Sequence, residues 1–365
     1  MAVGHALASW LRLTLSPGIG GATQRKLLKA FGLPEAVFSA DRRALRELIG
    51  EKLTTLLLTT DNRSAVDAAC AWTDVAGQHI VTLADGEYPQ ALLEIADPPS
   101  LLYVRGRLEL LNQAALAIVG SRNPTAQGIQ NGERFAAAFA DAGLIIISGL
   151  ALGIDSAAHR GALAAGGSTV AVVGTGIDRV YPARNRELAL EIGERGAIVS
   201  EFALGTPVSA GNFPRRNRLI SGMTRGVLVV EATIDSGSLI TSRLAGEQGR
   251  EVFAIPGSIH SPQSRGCHML IKQGAKLVET VQDVLEELCW SALPAPDRTS
   301  AGQDGDGAPD DELLALMGFD PCGLDVLAGR SGLTADALSV KLLHLELDGR
   351  VASLPGGRYQ KLAKA

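Results

Sequence analysis

Short apolar runs alternate with longer amphipathic stretches through the middle of the chain. The runs end at turns rich in Gly and Ser, which predicts buried strands at residues 116–119, 144–147, 169–173, 197–200, 226–230 and 251–255. Helices are predicted over 126–142 and 155–165. Fully apolar strands that alternate with helices predict an α/β fold with a parallel sheet covered on both faces. Ligands bind such sheets at the carboxyl ends of the strands.

The flanking patterns predict two smaller domains around the α/β domain, which is expected at 85–290. Residues 1–84 are predicted to form a small helical domain of short helices. Residues 291–311 are rich in Pro, Ala, Gly, Asp and Ser, a composition typical of a flexible linker. Residues 312–365 return to helical spacing over 312–317, 323–330 and 334–348, and a Gly-rich turn follows at 355–357. Three helices and a small β-wing predict a winged-helix domain.

A Pro-Gly-Ile-Gly turn at residues 17–20 precedes the first well-defined helical run. The turn resembles a helix-hairpin-helix element, in which N–H groups at the start of a helix can hold a phosphate. The alternative is a capped helix pair in a small bundle, and this short stretch alone favours that structural interpretation.

Composition limits where a nucleic acid could bind. The chain has 365 residues, a net charge of -5 and 42 glycines, and only 4% of its residues are aromatic. Because the protein is slightly acidic overall, any nucleic-acid site must be a local basic patch. The four cysteines form no CxxC pair, and neither a signal segment nor a membrane-spanning run is visible. A cytoplasmic protein with no metal and no cofactor is therefore expected, without contact with a membrane.

The strongest local signal is a basic cluster at residues 213–220. Arg215, Arg216 and Arg218 can bind phosphate oxygens in a bidentate manner, and Phe213 offers a face on which a base can stack. Asn217 lies within the same cluster. A solvated basic turn beside a helix is the alternative interpretation, but the surrounding glycine-rich α/β pattern favours an anion or nucleic-acid site.

Further phosphate-binding candidates lie in the turns that follow predicted strands. Backbone N–H groups at the start of a helix attract anions, and Ser and Arg side chains add donors. The candidates in these turns are Gly120, Ser121, Arg122, Ser148, Gly149, Ser236, Gly237, Ser238 and, one helical turn further on, Arg243.

Motifs of catalysis are absent from the sequence, so no catalytic residue is predicted. Asp155 and His159 have helical spacing, but no nucleophile accompanies them and a structural role is expected. The turn at 174–179 begins like a dinucleotide fingerprint and ends in Arg179 where that motif has Gly. The sequence contains no Walker A motif, HExxH or GxSxG.

Taken in order, these motifs resemble the DNA-processing protein A family (DprA, also called Smf). The segments that carry the resemblance are 117–122, 148–155, 213–222, 231–243 and 252–257. The resemblance implies an extended Rossmann-like domain with a small helical N-terminal domain, SAM-like or helix-hairpin-helix in kind, and a C-terminal winged helix.

The family resemblance also implies a function without catalytic turnover. Members of the family bind single-stranded DNA, form homodimers, protect incoming strands in natural transformation and load the RecA recombinase onto DNA covered by single-strand-binding protein. In this sequence, Arg122 and Arg243 would meet phosphates and Phe213 would stack on a base. The turns at Gly120, Ser148 and Ser236 would offer donors.

Two other functions remain open from the residues alone. Glycine-rich strand ends and Glu231 after a strand are compatible with an enzyme that acts on nucleotides, similar to the phosphoribohydrolases. That family's Pro-Gly-Gly-x-Gly-Thr signature is missing here. A duplex-DNA binder would instead use the helix predicted at 334–347, which offers only Lys341 and His344 as polar readers.

Overall fold

The hydrophobic runs of the middle of the chain form neighbouring strands of one large sheet in the computed structural model, which describes residues 2–290, 309–318 and 321–362. Residues 291–308 of the predicted linker lie outside the described residues. The strands of this sheet are β1 (Gln78–Thr82), β2 (Leu101–Gly106), β3 (Ala115–Val119), β4 (Ile145–Ser148), β5 (Thr169–Val172), β6 (Ala197–Ser200), β7 (Gly226–Val229), β8 (Glu251–Ala254) and β9 (Lys276–Leu277).

Helices precede the sheet and connect its strands. Those of the N-terminal region are α1 (Ala2–Thr14), α2 (Gly21–Phe31), α3 (Pro34–Ser39), α4 (Arg42–Ile49), α5 (Glu51–Thr59) and α6 (Arg63–Thr73). Those associated with the sheet are α7 (Ala126–Asp141), α8 (Ile154–Ala164), α9 (Arg186–Arg195), α10 (Asn212–Gly222), α11 (Ser238–Glu247), α12 (Arg265–Lys272) and α13 (Val281–Glu287). Short 3-10 helices lie at Gln90–Glu94, Leu108–Asn112, Ala183–Asn185 and Pro262–Ser264.

The order of the strands places a switch point in the middle of the sheet. The order is β1-β2-β6-β5-β4-β3-β7-β8-β9, and the pairs from β6 to β9 are parallel. From β3 the chain moves outward to β6 on one side, and from β7 it moves outward to β9 on the other. Because the connections leave β3 and β7 in opposite directions, a crevice opens at the carboxyl ends of these two strands. The predicted extended Rossmann-like fold is confirmed.

Successive residues of each central strand point to opposite faces of the sheet and pack into two separate hydrophobic cores. In β3, Ala117 and Val119 pack with α10, α11 and α12, whereas Leu116 and Ile118 pack with α7, α8 and α13. Helices α7 and α8 approach so closely that a Cβ atom at Gly161 would lie 2.1 Å from the backbone oxygen of Glu133. This two-sided burial explains why the central strands are apolar throughout.

The structure contains strands and a helix that the sequence analysis does not predict. Strand β1 lies inside the segment predicted as helical, and it extends the large sheet through antiparallel pairing with β2, which in turn pairs antiparallel with β6. The basic cluster lies within an 11-residue helix, α10, in a segment for which the sequence analysis predicts no helix. Proline at the third position of this helix is compatible with helix formation, because the first-turn N–H groups have no intrahelical acceptor.

The C-terminal residues form a winged helix, as predicted. Its elements are α14 (Pro309–Met317), β10 (Cys322–Gly323), α15 (Leu324–Ser331), α16 (Ala335–Leu347), β11 (Val351–Leu354) and β12 (Arg358–Lys361). The three strands form one sheet in the order β10-β12-β11, and buried side chains such as Leu327, Leu338 and Leu342 form a separate core. In the described part of the chain, we find no helix with both the length and the apolar surface that a membrane span requires.

Candidate functional site

A groove of about 580 Å³ lies at the switch point, at the carboxyl ends of β3 and β7. Its walls come from the turn after β3, from α10 and from the turn that leads into α11. Nine of the fourteen residues singled out from the sequence line it: Gly120, Ser121, Arg122, Phe213, Arg216, Asn217, Ser236, Gly237 and Ser238. The fold therefore brings together segments more than 100 residues apart in the chain.

Helix α10 divides the basic cluster between two surfaces. Residues three or four positions apart share one face of a helix, so Phe213, Arg216 and Asn217 lie together and face the groove. Arg215 and Arg218 fall on another face of the helix and line a different cleft. The three arginines therefore do not form the single phosphate-binding cluster that the sequence predicts.

One wall of the groove combines an aromatic ring with a guanidinium group. The Cζ atom of Arg122 lies 5.4 Å from the centroid of the Phe213 ring, within the range of a cation–π interaction. The ring of Tyr181 lies 5.9 Å from that of Phe213, tilted by 40°. A planar base and a phosphate can be bound side by side on such a wall.

Arg216 lies at the floor of the groove and is almost completely buried, with 4% of its surface exposed. Its Nη1 donates to the carbonyl oxygen of Val172 at 2.5 Å, and its Nε has no hydrogen-bond partner among the described residues. Burial lowers the pKa of Arg216 to about 10, so the side chain is still protonated at neutral pH. No salt bridge to Arg216 is found among the described residues, but the nearby buried carboxylate of Asp155 acts on it electrostatically and opposes the lowering of its pKa.

A loop next to Arg216 depends on a glycine and a carboxylate. The Oδ2 atom of Asp155 accepts hydrogen bonds from the N–H groups of Gly149 and Ala151, at 3.1 and 3.4 Å. Burial raises the pKa of Asp155, and the positive charge of Arg216 opposes that shift. A Cβ atom at Gly149 would lie 1.9 Å from Nη1 of Arg216, so this position has no room for a side chain.

His159 has a structural position, as expected from the sequence. It is fully buried, its Nδ1 lies 2.7 Å from the hydroxyl of Thr169, and that hydroxyl donates to Ile146 O. Because the hydroxyl already donates, Nδ1–H is the donor to it. Burial lowers the pKa of His159 to about 3, so a neutral imidazole is expected in the folded protein at neutral pH.

The turn after β3 offers fewer backbone donors than the sequence suggests. The N–H of Ser121 donates to the carbonyl oxygen of Glu231 at 2.7 Å, and the Ser121 hydroxyl accepts from Asn123 N at 3.1 Å. The Arg122 side chain is therefore the main group of this turn that can bind an anion.

Glu231 supports the start of α7. Its two carboxylate oxygens accept from the N–H and from the hydroxyl of Thr125, which is the N-cap residue of that helix. Burial raises the pKa of Glu231. Both carboxylate oxygens are therefore occupied by the protein itself.

The turn before α11 offers hydroxyl groups to the groove. Ser236 Oγ and Ser238 Oγ lie 2.7 Å apart, and the N–H groups of Leu239 and Ile240 already donate to backbone oxygens of the turn. The site therefore gains neutral donors here and few free N–H groups. Asp235, Thr233 and Gln263 also line the groove, and their ordinary turn-like spacing gave no signal in the sequence.

Four of the predicted site residues lie away from the groove lining. Ser148 is fully buried and donates to Ile118 O at 2.7 Å, a structural contact between strands. Arg218 is paired with Asp97 and Glu201, and Arg215 is exposed on the same side of α10. Arg243 is exposed on α11 and lies 3.6 Å from Glu247. Gly149 is the fifth predicted residue that does not line the groove. It lines a small adjoining pocket together with Arg122 and Arg216.

Comparisons with known proteins agree with this architecture. Residues 79–289 match the model of the DNA recombination-mediator protein A family, and residues 294–357 match that of the DprA winged helix domain. Protein Smf of Escherichia coli (strain K12) is 44% identical over 309 residues, which are 83% of this chain and 82% of that protein.

Two solved structures share the fold. The DNA processing protein A of Streptococcus pneumoniae superposes with a TM-score of 0.68 at 38% identity, over 77% of this chain and 97% of that one. The corresponding protein of Helicobacter pylori, whose structure is described as showing a unique single-stranded DNA binding mode, gives a TM-score of 0.54 at 30% identity. That match covers 59% of this chain and 98% of the other.

The fold and the groove define a class, a Rossmann-like protein with a winged helix and a groove at its switch point that is lined by Arg122, Arg216 and Phe213. Within that class, the family match extends over more than half of the chain and is supported by close relatives along most of it. The chain belongs to the DNA recombination-mediator protein A family, whose members include DNA processing protein DprA and protein Smf.

Proposed function

We propose that this protein is a single-stranded DNA-binding recombination mediator. In this proposal the groove holds one segment of the strand, with a base on the Phe213 ring and phosphates near Arg122 and Arg216. Arg215, Arg218 and Arg243 have no direct role in the groove. Binding is tolerant of sequence, because stacking and phosphate contacts do not read base edges.

The observation that carries the proposal is the buried, protonated guanidinium of Arg216 at the floor of the groove, which forms no salt bridge among the described residues and whose Nε has no hydrogen-bond partner there. A buried charge without an ion pair costs free energy, and an anion brought into the groove offsets that cost. Arg122 lies beside the half-buried ring of Phe213, on which a base can stack. The two cations and the ring together favour a nucleic-acid strand over a simple anion.

A single strand fits this site better than a duplex does. Only unpaired bases expose the faces that stack on an aromatic side chain. The binding mode described for the Helicobacter pylori relative is also one for single-stranded DNA. On the winged helix, α16 exposes Val340, Leu343 and Leu347, an apolar face that suits contacts with protein more than a DNA groove.

The alternative of a nucleotide-cleaving enzyme loses its main support in the structure. That hypothesis was based on glycine-rich strand ends and on Glu231, and the carboxylate oxygens of Glu231 both bind Thr125 at the start of α7. We therefore propose a function without catalytic turnover, in the cytoplasm, by a homodimer. RecA is the proposed recombinase partner, and single-strand-binding protein is a further one.

Loading of RecA is the functional step to test. RecA ATP hydrolysis would be followed on single-stranded DNA that has first been covered with single-strand-binding protein. We expect the wild-type protein to shorten the lag before hydrolysis, because a mediator bound to the strand helps RecA to displace the covering protein. Arg122→Ala should leave the lag unchanged from that of RecA alone.

The matched control is Arg107→Ala. Arg107 is also a half-exposed arginine, paired with Glu109, but it lies between β2 and β3 at the opposite edge of the sheet from the groove. A wild-type protein without effect on the lag, at a concentration that saturates the strand, would refute the mediator role.

A further inference from the structure

The second polar face of α10 lines another cleft, also of about 580 Å³, between this helix and the N-terminal helices. Arg215 and Arg218 project from α10 on one side, and the Pro-Gly-Ile-Gly turn and the start of α2 form the other side. The groove at the switch point and this cleft are therefore separated only by the width of α10.

The three arginines of this cleft differ in how closely they are paired with carboxylates. Arg218 is held by Glu201 and by Asp97, whose carboxylate lies 3.0 Å from Nε. Arg215 has 60% of its side chain exposed, and its nearest carboxylate oxygen, on Glu201, is 3.8 Å away. Arg25 donates to the backbone oxygen of Pro98 and has no ion pair within the ranges that the structure describes. Three guanidinium groups thus face two carboxylates, which leaves the cleft positive.

The start of α2 offers backbone donors to the same cleft. Its N-cap residue is Gly20, which has no side chain to accept a hydrogen bond from the first turn. The first intrahelical bond is from Gln24 N to Gly20 O. In the described structure, the N–H groups of Gly21, Ala22 and Thr23 have no backbone acceptor. An 11-residue helix with a free N-terminus attracts an anion.

A buried hydroxyl group is an independent observation that points to a ligand site in this cleft. Ser100 lines the cleft with only 2% of its surface exposed, and its Oγ has no hydrogen-bond partner among the described residues. A buried hydroxyl without a partner is costly, and buried polar groups are nearly always paired. A ligand oxygen at this position would accept from it.

We propose that the cleft between α10 and α2 is a second phosphodiester site, which holds the backbone of the same single strand after it leaves the groove. The strand passes around the N-terminal end of α10, from Phe213 on one face to Arg215 on the other. The glycine turn leaves the N–H groups of α2 open to the sugar–phosphate backbone, and Arg215 supplies the charge. This inference rests on the proposed function, since the strand must first occupy the groove.

The test uses two substitutions at one position. Thr23 is the third residue of α2, where Glu and Gln are both favourable because their side chains can reach back to the N-cap N–H. Thr23→Glu adds a negative charge at the proposed phosphate site, and Thr23→Gln adds a side chain of the same size without charge. Arg215→Gln probes the opposite side of the cleft independently of α2.

Binding would be measured on the full chain by fluorescence anisotropy, with oligo-dT of about 4 nucleotides and of about 16 nucleotides. For the longer strand, we expect Thr23→Glu to bind about tenfold more weakly than Thr23→Gln, because it loses a charge-assisted phosphate contact. Arg215→Gln should also weaken binding of the longer strand. For the short strand, which the groove alone can hold, all three variants should equal the wild type.

Equal affinity of Thr23→Glu and Thr23→Gln for the longer strand would overturn the inference, and so would a loss of the same size for both lengths. The groove is tested separately by Arg122→Ala with the short strand. If that variant loses affinity while the Thr23 pair remains equal, the second site is wrong and the proposed function stands. If Arg122→Ala binds the short strand like the wild type, the proposed function fails.

Discussion

Alanine at Phe213 is expected to weaken the binding of oligo-dT by about tenfold to hundredfold. Stacking of one base on an aromatic side chain contributes about 1–3 kcal/mol, and each 1.4 kcal/mol is a factor of ten in affinity. Phe213 offers the aromatic wall of the groove, next to Arg122 and Tyr181. Its loss removes the main contact with a base and leaves the phosphate contacts in place.

Arg122→Ala should cause a loss of similar size for a different reason. A charge-assisted hydrogen bond contributes about 1.5–3 kcal/mol, and one phosphate contact fewer should also reduce the salt dependence of binding. Phe213→Ala should leave the salt dependence almost unchanged. The two variants can therefore be told apart by repeating the anisotropy titration at several salt concentrations.

Arg107→Ala is the control for a general loss of positive charge, because that residue lies far from the groove. The affinity of the Arg107→Ala variant for oligo-dT should equal that of the wild type. If all three variants bind oligo-dT as the wild type does, the groove is not the binding site.

Gly149→Ala is expected to lower the free energy of unfolding by about 3 kcal/mol. The new Cβ atom would overlap Nη1 of Arg216 and come within 2.5 Å of its Cζ. Arg216 can make room only by moving its guanidinium group away from Val172 O, which breaks that buried hydrogen bond. The cost combines overpacking with the displacement of a buried cation, and it would be measured by urea denaturation.

The chain offers a matched glycine for comparison. Gly246 is exposed within α11, and a Cβ atom there would meet no atom within 4 Å. Gly246→Ala should therefore raise stability by up to about 1 kcal/mol, as Ala does in an exposed helix.

A double-mutant cycle isolates the cause of the effect at Gly149. If the overlap with Arg216 is responsible, the cost of Gly149→Ala should largely vanish in an Arg216→Ala background. The account of this contact is wrong if Gly149→Ala is as stable as the wild type, or if its cost is unchanged when Arg216 is absent.

Much of the α/β fold could be predicted from the sequence, because its signals are local. Buried parallel strands are apolar on both faces and end at Gly or Ser, so β3 to β8 were visible as runs with the correct order and nearly the correct bounds. Strands β1 and β2 were not predicted, since β1 joins the sheet only by pairing with β2, and β2 joins it by pairing with β6, a contact distant in sequence.

The site was predicted less completely, because the partner of each side chain lies elsewhere in the chain. The sequence shows three arginines near each other, but only the helical spacing of α10 separates Arg216 from Arg215 and Arg218. Nothing near Arg218 in the sequence reveals that Asp97 and Glu201 neutralise it. The sequence therefore indicates which strand-end turns line the groove, but it does not reveal the ion pairs between distant segments.

A titration of the wild-type protein with oligo-dT and with a duplex of the same length, over a series of salt concentrations, tests the central claim most directly. We predict tighter binding of the single strand and a linear fall of log affinity with log salt, with a slope of about -0.7 for each phosphate contacted. Equal affinity for the two DNAs, or binding that does not depend on salt, would contradict the assignment of the groove to single-stranded DNA.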